Sequence, residues 1–551
     1  MRRIKVLDTT LRDGDQAAGF AFSAEAKYTL ARALAVAGVD IIETGFPLSN
    51  SADFEVCRNL AREISEFPVS GGKNGDTVSR PLTAVMCRGR AEDIRQSAEV
   101  FAGGVPGILH ISLPVSRIHI TEKLGKTETE LIDMAAEAVS FARGFVPLVE
   151  LGAEDSGRAG RNFLREYCEA GAGAGAAVIN ISDTLGILAP EELAALVCFL
   201  RETVPAFTAG SSTGSPADSP GARLSVHCHN DLGLACANTL AAVEAGCGQI
   251  EVSVLGIGER AGNAALEEVA ANLDARPGMY RAVTGLFPEK IAALVPLVMK
   301  ASGTGVSPMK PLSGWNVRAH GSGIHQQGLS RNAGVYSPPV LERWAMTPER
   351  IVLSRHSGQA GVRIFARRYC GIDLDDGALA AVTGEIKAAP GTATGITELL
   401  RILLKLGKLP AGFPQPLVCV FFAETQERTA DKIEFTIRAS VSAGESPAAE
   451  TLNVSGEGAD EPAAVLEALK TTARLCGKDN SENADFAIRR TEISAYGKRI
   501  RLYAEPGING KFYGIERTGI SAGYLLFACG LDAINANYAE LFMRGCPAHI
   551  T

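Results

Sequence analysis

His227 and His229 stand two positions apart in LSVHCHND (224–231), and no other pair in the chain suggests chemistry so directly. On a strand, residues i and i+2 project to the same side. Two imidazoles on one face, followed by Asn230 and Asp231, suit a pair of metal ligands. A carboxylate from another element would complete a two-histidine, one-carboxylate site with open positions for a substrate. DTTLRDGDQ (8–16) offers Asp8, Asp13 and Asp15 around Arg12. Such a set suits Zn²⁺, Mn²⁺, Mg²⁺, Co²⁺ or Fe²⁺, and residue type does not choose among them. Packed histidines and a polar turn are the structural alternatives. Three further segments gather polar groups: VELGAEDSG with Glu150, Glu154 and Asp155, NISDTLG with Asn180, Asp183 and Thr184, and GIGERAGN with Glu259, Arg260 and Asn263. Carboxylates beside arginine and a cation fit an anionic substrate whose charge is neutralised.

These segments need a scaffold that brings them to one place. Short apolar runs recur at Ile4–Leu7, Val39–Glu43, Leu82–Met86, Ile108–Leu113, Val146–Leu151, Ala177–Ile181, Leu224–His227 and Ile250–Leu255. Each is followed by a stretch of helical period, such as Ser23–Ala37. Ser23 reads as an N-cap, and Pro190-Glu191-Glu192 as a first helical turn carrying acids. Eight such units over residues 1–275 predict an α/β fold, a (β/α)₈ TIM barrel with its site at the C-terminal ends of the strands. A doubly wound sheet is the alternative, because periodicity does not show closure. The Gly/Ser/Pro-rich stretch 208–221 reads as a flexible surface insertion. Residues 276–412 read as helical subdomains that complete the active site. Residues 413–551 read as an α+β domain of regulatory or dimerising type, with two sets of strands each followed by a helix.

The chain has 551 residues and a net charge of −8, which argues against a general nucleic-acid binder and against a basic membrane-surface helix. Hydrophobic residues make up 46 % and charged residues 21 %, enough apolar material for a large core. There is no apolar run long enough for a transmembrane helix and no signal-peptide core, so a cytoplasmic protein is expected. Twelve cysteines without a CxxC pair read as reduced, packed thiols.

DTTLRDGDQAAGFAFS, ETGFPLSN, ISDTLG, SVHCHNDLGLACANTLAAVEAG and GIGERAGNAALEE together resemble the 2-isopropylmalate synthase family. HGSGIHQQG (320–328) and SRHSGQAGV (354–362) resemble its helical subdomains, so the likeness spans residues 4–410. It implies an acyltransferase that joins acetyl-CoA to 3-methyl-2-oxobutanoate by metal-assisted Claisen-type condensation and thioester hydrolysis, a step of leucine biosynthesis. It also implies a divalent metal, Zn, Mn or Mg, on Asp13, His227 and His229, with Asn263 in the segment completing the site. Arg12 would hold the 2-oxo acid and polarise its ketone. His110, Asn180 and Thr184 would line the substrate pocket, Thr184 placing a hydroxyl on the substrate carboxylate. His325 would deprotonate the thioester, with Glu154 beside the reacting centre and Tyr336 close by.

The sequence departs from the family pattern in places: Asp15 for Glu, Ala17-Ala18 for Ser-Pro, Gly152 for Ser and Gln327 for Asp. In the C-terminal domain the expected Gly-rich helix starts read GEGADEPAAVLEAL (456–469) and GISAGYLLFACGLDAIN (519–535), so a leucine effector is an expectation from resemblance alone. A homodimer is expected. Homocitrate or citramalate synthesis from 2-oxoglutarate or pyruvate is the alternative reading, and a metal-dependent lyase or a non-catalytic metabolite sensor is the alternative of a different class.

Overall fold

The computed structural model describes residues 1–68, 80–209, 221–389, 394–409 and 413, then 417–428, 433–443, 451–458, 461–476, 486–496, 499–508, 511–512, 515–519 and 526–536. Most of the 208–221 stretch lies outside the described residues, as do parts of both Gly-rich helix starts at 456–469 and 519–535. The chain divides into two compact units, Met1–Thr304 and Gly305–Thr551.

Eight parallel strands close the first unit into a barrel: β1 Lys5–Asp8, β2 Ile41–Glu43, β3 Leu82–Arg88, β4 Gly107–Pro114, β5 Leu148–Glu154, β6 Val178–Asp183, β7 Arg223–Cys228 and β8 Gln249–Val252. The ring shuts where β1 pairs with β8, Lys5 opposite Gln249 and Asp8 opposite Val252. That closure excludes the doubly wound sheet. A helix follows every strand: α1 Ala24–Val36, α2 Ser51–Ser65, α3 Ala91–Ala98, α4 Glu128–Arg143, α5 Arg161–Gly173, α6 Pro190–Thr203, α7 Ala235–Glu244 and α8 Leu266–Ala275.

Local chemistry starts these helices as the sequence suggests. The Ser23 hydroxyl accepts the Ala26 N–H at 3.1 Å, satisfying a donor with no partner inside α1. Pro190 opens α6, and Glu192 reaches back to accept the Ala189 N–H at 2.9 Å. Gly38 turns the chain from α1 toward β2 at φ +86°, where a Cβ would lie 2.2 Å from the Gly285 carbonyl oxygen, so only glycine fits. Beyond α8, α9 (Pro288–Ser302) packs on α1, and Arg2–Arg3 pair in parallel with Ala282–Val283.

Strand register decides what fills the barrel. Partnered residues share a face, and every second residue along a strand faces inward. Leu7, Ile41, Ala84 and Ile108 thereby form a small buried apolar cluster, with Leu82 and Leu148 against it. The same rows carry Glu43, His110, Glu150, Asn180, Ser225, His227, Gln249 and Glu251, all 5 % exposed or less. The alternate residues, such as Leu109, Ile111, Leu151, Ile179, Ile181 and Val226, are apolar and buried on the outer side, under the helices. The interior is therefore apolar on one flank and polar on the other.

In the second unit, the helices α10 (Gly323–Arg331), α11 (Pro339–Trp344), α12 (Gln359–Phe365), α13 (Asp376–Ala388) and α14 (Ile396–Lys405) precede two antiparallel sheets. Strands Leu417–Arg428, Ile433–Ala443 and Thr451–Gly458 lead into a helix at Glu461–Cys476. Strands from Phe486 to Gly519 precede a helix at 526–536. Among the described residues, no helix is long and apolar enough to cross a membrane.

Candidate active site

β1 ends in Asp8, and the chain then winds through one wide helical turn, Thr10–Gly14. Arg12 and Asp13 ride on that turn and are buried, 7 % and 3 % exposed. Across the ring, His227 is on β7, and His229 follows it, bridged to Asn263 in the loop after β8. One side-chain atom from each of Asp13, His227 and His229 falls within 4.8 Å of the others. The two Nε2 atoms are 3.1 Å apart, and His229 Nε2 is 4.0 Å from Asp13 Oδ2.

These groups fit a divalent cation. Two donors each about 2.1 Å from one ion lie roughly 3–4 Å apart. Burial lowers His227 to about 4, outweighing the pull of Asp13, and burial together with His227 lowers His229 to about 4. Both rings are therefore neutral at pH 7, with lone pairs available. Burial alone would raise Asp13, yet Arg12 and the two histidines hold it below the usual range, so it is ionised. Asn263 donates to Asp13 Oδ2 at 2.6 Å, while its buried Oδ1 has no hydrogen-bond partner, an orphan that a cation would satisfy.

The backbone is shaped to this cluster at Gly258. A Cβ there would lie 2.6 Å from Asn263 Nδ2 and 2.7 Å from Asp13 Oδ2. Gly258→Ala is therefore expected to weaken Mn²⁺ binding by about tenfold or more, the scale of a disturbed ligand support. Isothermal titration of the full-length protein with Mn²⁺ checks this, and unchanged affinity would mean that the loop yields without disturbing Asp13.

A second set of buried charges backs the first. Arg12 Nε donates to Glu43 Oε2 at 2.6 Å, and its Nη1 lies 3.2 Å from Asp13 Oδ1. The other oxygen of Glu43 holds His110 Nδ1 at 2.8 Å. Burial pushes Glu43 up, but Arg12 and His110 overcome it and hold the carboxyl at about 2. Burial pushes His110 down, but Glu251 and Glu43 raise it to about 9. Among the described residues, His110, Glu150 and Glu251 form a second buried group in which one side-chain atom from each lies within 4.8 Å of the others. Burial raises Glu150 to about 8 and Glu251 to about 7.

The remaining expected residues are distributed differently. Asp15 turns aside, taking the Phe22 N–H and pairing with Lys27 at 2.7 Å. Asp8 accepts the Thr10 N–H and caps the turn. Glu154, at the end of β5, is paired with Lys123 at 2.8 Å, and His119 lies 3.6 Å away. Thr184 accepts the Asp155 N–H at 2.8 Å. Asn180 donates to Ser182, and its buried Oδ1 is unpartnered. His325 and Tyr336 belong to the second unit, where their rings stack with centroids 4.1 Å apart and planes at 16°, His320 lying 6.0 Å from each. Gly152 sits beside His110, where a Cβ would come within 3.0 Å of Nε2.

Glu43 and Glu251 are the residues that sequence reasoning passed over. Their signal was a lone acid at an inward position of an apolar strand, two residues after Ile41 and two after Gln249.

The HMGL-like family model matches residues 3–298, and the homocitrate synthase post-HMGL domain-like model matches 312–393. The 2-isopropylmalate synthase of Pyrococcus furiosus is 38 % identical over 398 residues, 72 % of this chain and 74 % of that protein. That of Pyrococcus abyssi is 38 % identical over 363 residues, 66 % and 69 % of the two chains. That of Halothermothrix orenii is 37 % identical over 399 residues, 72 % of each.

Proposed function

Since this chain belongs to the 2-isopropylmalate synthase family, we propose that it condenses acetyl-CoA with 3-methyl-2-oxobutanoate and water to give 2-isopropylmalate and CoA. The observation that carries the reading is the buried Asp13–His227–His229 set with Arg12 beside it, at the C-terminal ends of the barrel strands.

Asp13, His227 and His229 would hold a divalent cation, and the unpartnered amide oxygen of Asn263 would be a further donor for it. When bound, the ion supplies Lewis acidity to the ketone and carboxylate oxygens of the 2-oxo acid. Arg12 carries a fixed positive charge whose direction is set by Glu43 and Asp13. It is thus prepared in advance for the oxygen on which negative charge grows as the carbon–carbon bond forms. His110, Asn180 and Thr184 line the acceptor side of the site. For His325, whose ring stacks on Tyr336, the role read is that of the base toward the acetyl methyl. Water then cleaves the thioester.

The acceptor is read as a monocarboxylate on the charges around it. Arg12 is answered by Glu43 and Asp13, and His110 by Glu43, with Glu150 and Glu251 alongside. A second carboxylate on the substrate would find these cations already committed. CoA release is therefore expected to be at least ~100-fold faster, as kcat/KM, with 3-methyl-2-oxobutanoate than with 2-oxoglutarate, since an unpaired buried charge costs more than a lost methylene. The assay uses Mn²⁺ or Zn²⁺, each acceptor alone, pyruvate included, with and without leucine. Fastest turnover with 2-oxoglutarate would overturn the acceptor reading. No turnover with any acceptor would overturn the synthase reading.

A further inference from the structure

Glu251 is fully buried, and beyond its charge beside His110 it has been given no role. On the barrel wall it is the register partner of His227, so both side chains point inward from neighbouring strands. Its Oε2 lies 3.1 Å from His227 Nδ1. The ring N–H does not aim straight at that oxygen, but neither atom has another hydrogen-bond partner. Behind it, an oxygen of Glu150 lies within 4.8 Å of one of Glu251, and Gln249 Nε2 donates to Glu150 Oε1 at 2.9 Å. Two buried carboxyls this close disfavour double ionisation, so a proton kept on Glu150 leaves Glu251 as the carboxylate that faces His227.

His229 is held differently. Its Nδ1 faces the Gly262 carbonyl at 3.2 Å, a neutral acceptor. A histidine that binds a cation through Nε2 must keep its proton on Nδ1. The acceptor at Nδ1 fixes the tautomer and ring angle, and a charged acceptor also makes the ring a stronger donor.

We propose that Glu251 is a positioning residue for His227, its carboxylate holding the Nδ1 proton so that Nε2 faces Asp13 and His229. Glu150 is its support. This rests on the reading that those three residues hold a divalent cation. His227 then contributes more to affinity than His229, and the polar flank of the barrel has a task beyond lining a pocket.

The test is Mn²⁺ binding to the full-length protein by electron paramagnetic resonance, with Co²⁺ absorption as a report on ligand geometry. Wild type is expected to bind one ion per chain. Glu251→Ala lowers Mn²⁺ affinity by about 10–100-fold and shifts the Co²⁺ visible bands. Glu251→Gln keeps an acceptor without its charge and falls between the two. Glu150→Gln still donates and stays within about threefold of wild type. Wild-type affinity and spectrum in Glu251→Ala overturn the proposal. Should that variant fail to fold, the same result in Glu251→Gln overturns it. A wild-type chain that binds neither Mn²⁺, Zn²⁺ nor Co²⁺ overturns the metal reading itself, a failure distinct from loss of the Glu251 effect alone.

Discussion

His227→Ala is expected to lower kcat/KM for CoA release by at least about a thousandfold and to remove the bound ion. Lewis-acid assistance contributes several kcal/mol to a transition state, and each 1.36 kcal/mol is a factor of ten. His227 is buried, and its Nε2 meets that of His229 at 3.1 Å. Stability should change less than activity, because the ring removed is neutral and the buried Glu251 carboxyl left beside the gap, already raised to about 7, can take up a proton. The check pairs elemental analysis of the purified variant with the CoA-release assay. Activity within tenfold of wild type, with metal content retained, would sink the assignment of His227 as a ligand.

Glu43→Ala has the larger expected effect on the fold. It removes the carboxylate that bridges Arg12 and His110 and leaves two buried cations facing each other. Removing one partner of a buried ion pair costs about 3–5 kcal/mol, a large share of the roughly 5–15 kcal/mol that holds a typical domain together. Urea titration should show an earlier midpoint, and an unchanged midpoint would mean that water or Asp13 replaces the lost charge. The pH dependence follows from the same pair. Glu43 is held at about 2, below its ordinary value near 4.5, so its contribution is present above pH 4.5 and fades as pH falls toward 2. His110 is raised to about 9, above 6.5, so its contribution is whole below pH 6.5 and is lost as pH rises through 9. Glu43→Ala should flatten both limbs of the stability profile.

The barrel and the nearness of His227 to His229 were legible because the physics involved is local. Eight apolar runs each followed by a helical period, an N-cap at Ser23 and acids behind Pro190 all survive in the structure. The i, i+2 rule brought His227 and His229 to one face, as they are found. What could not be read is what depends on which strand stands beside which. Asp8, Asp13 and Asp15 look alike in a string. Only the wide turn after β1 sends Asp13 inward, leaves Asp8 to cap the turn and hands Asp15 to Lys27. Glu43 and Glu251 were passed over for the same reason. An acid inside an apolar strand gains meaning only when register sets it against Arg12, His110 or His227.

The seam where β1 meets β8 has a consequence for a chain still being made. Asp13 lies on one side of that seam, and its hydrogen-bond partner Asn263 is 250 residues away on the other. During synthesis Asp13 is made 250 residues before Asn263 and until then has no second wall to set against it. His227, His229 and Asn263 arrive only when nearly the whole ring has been synthesised. Closure that waits for such distant pairing is slow, and the unpaired edge of β1 is exposed meanwhile. A cation that binds the closed ring and not the open one would then favour closure by mass action. On this view such an ion would serve as a clasp in biogenesis before it served in turnover.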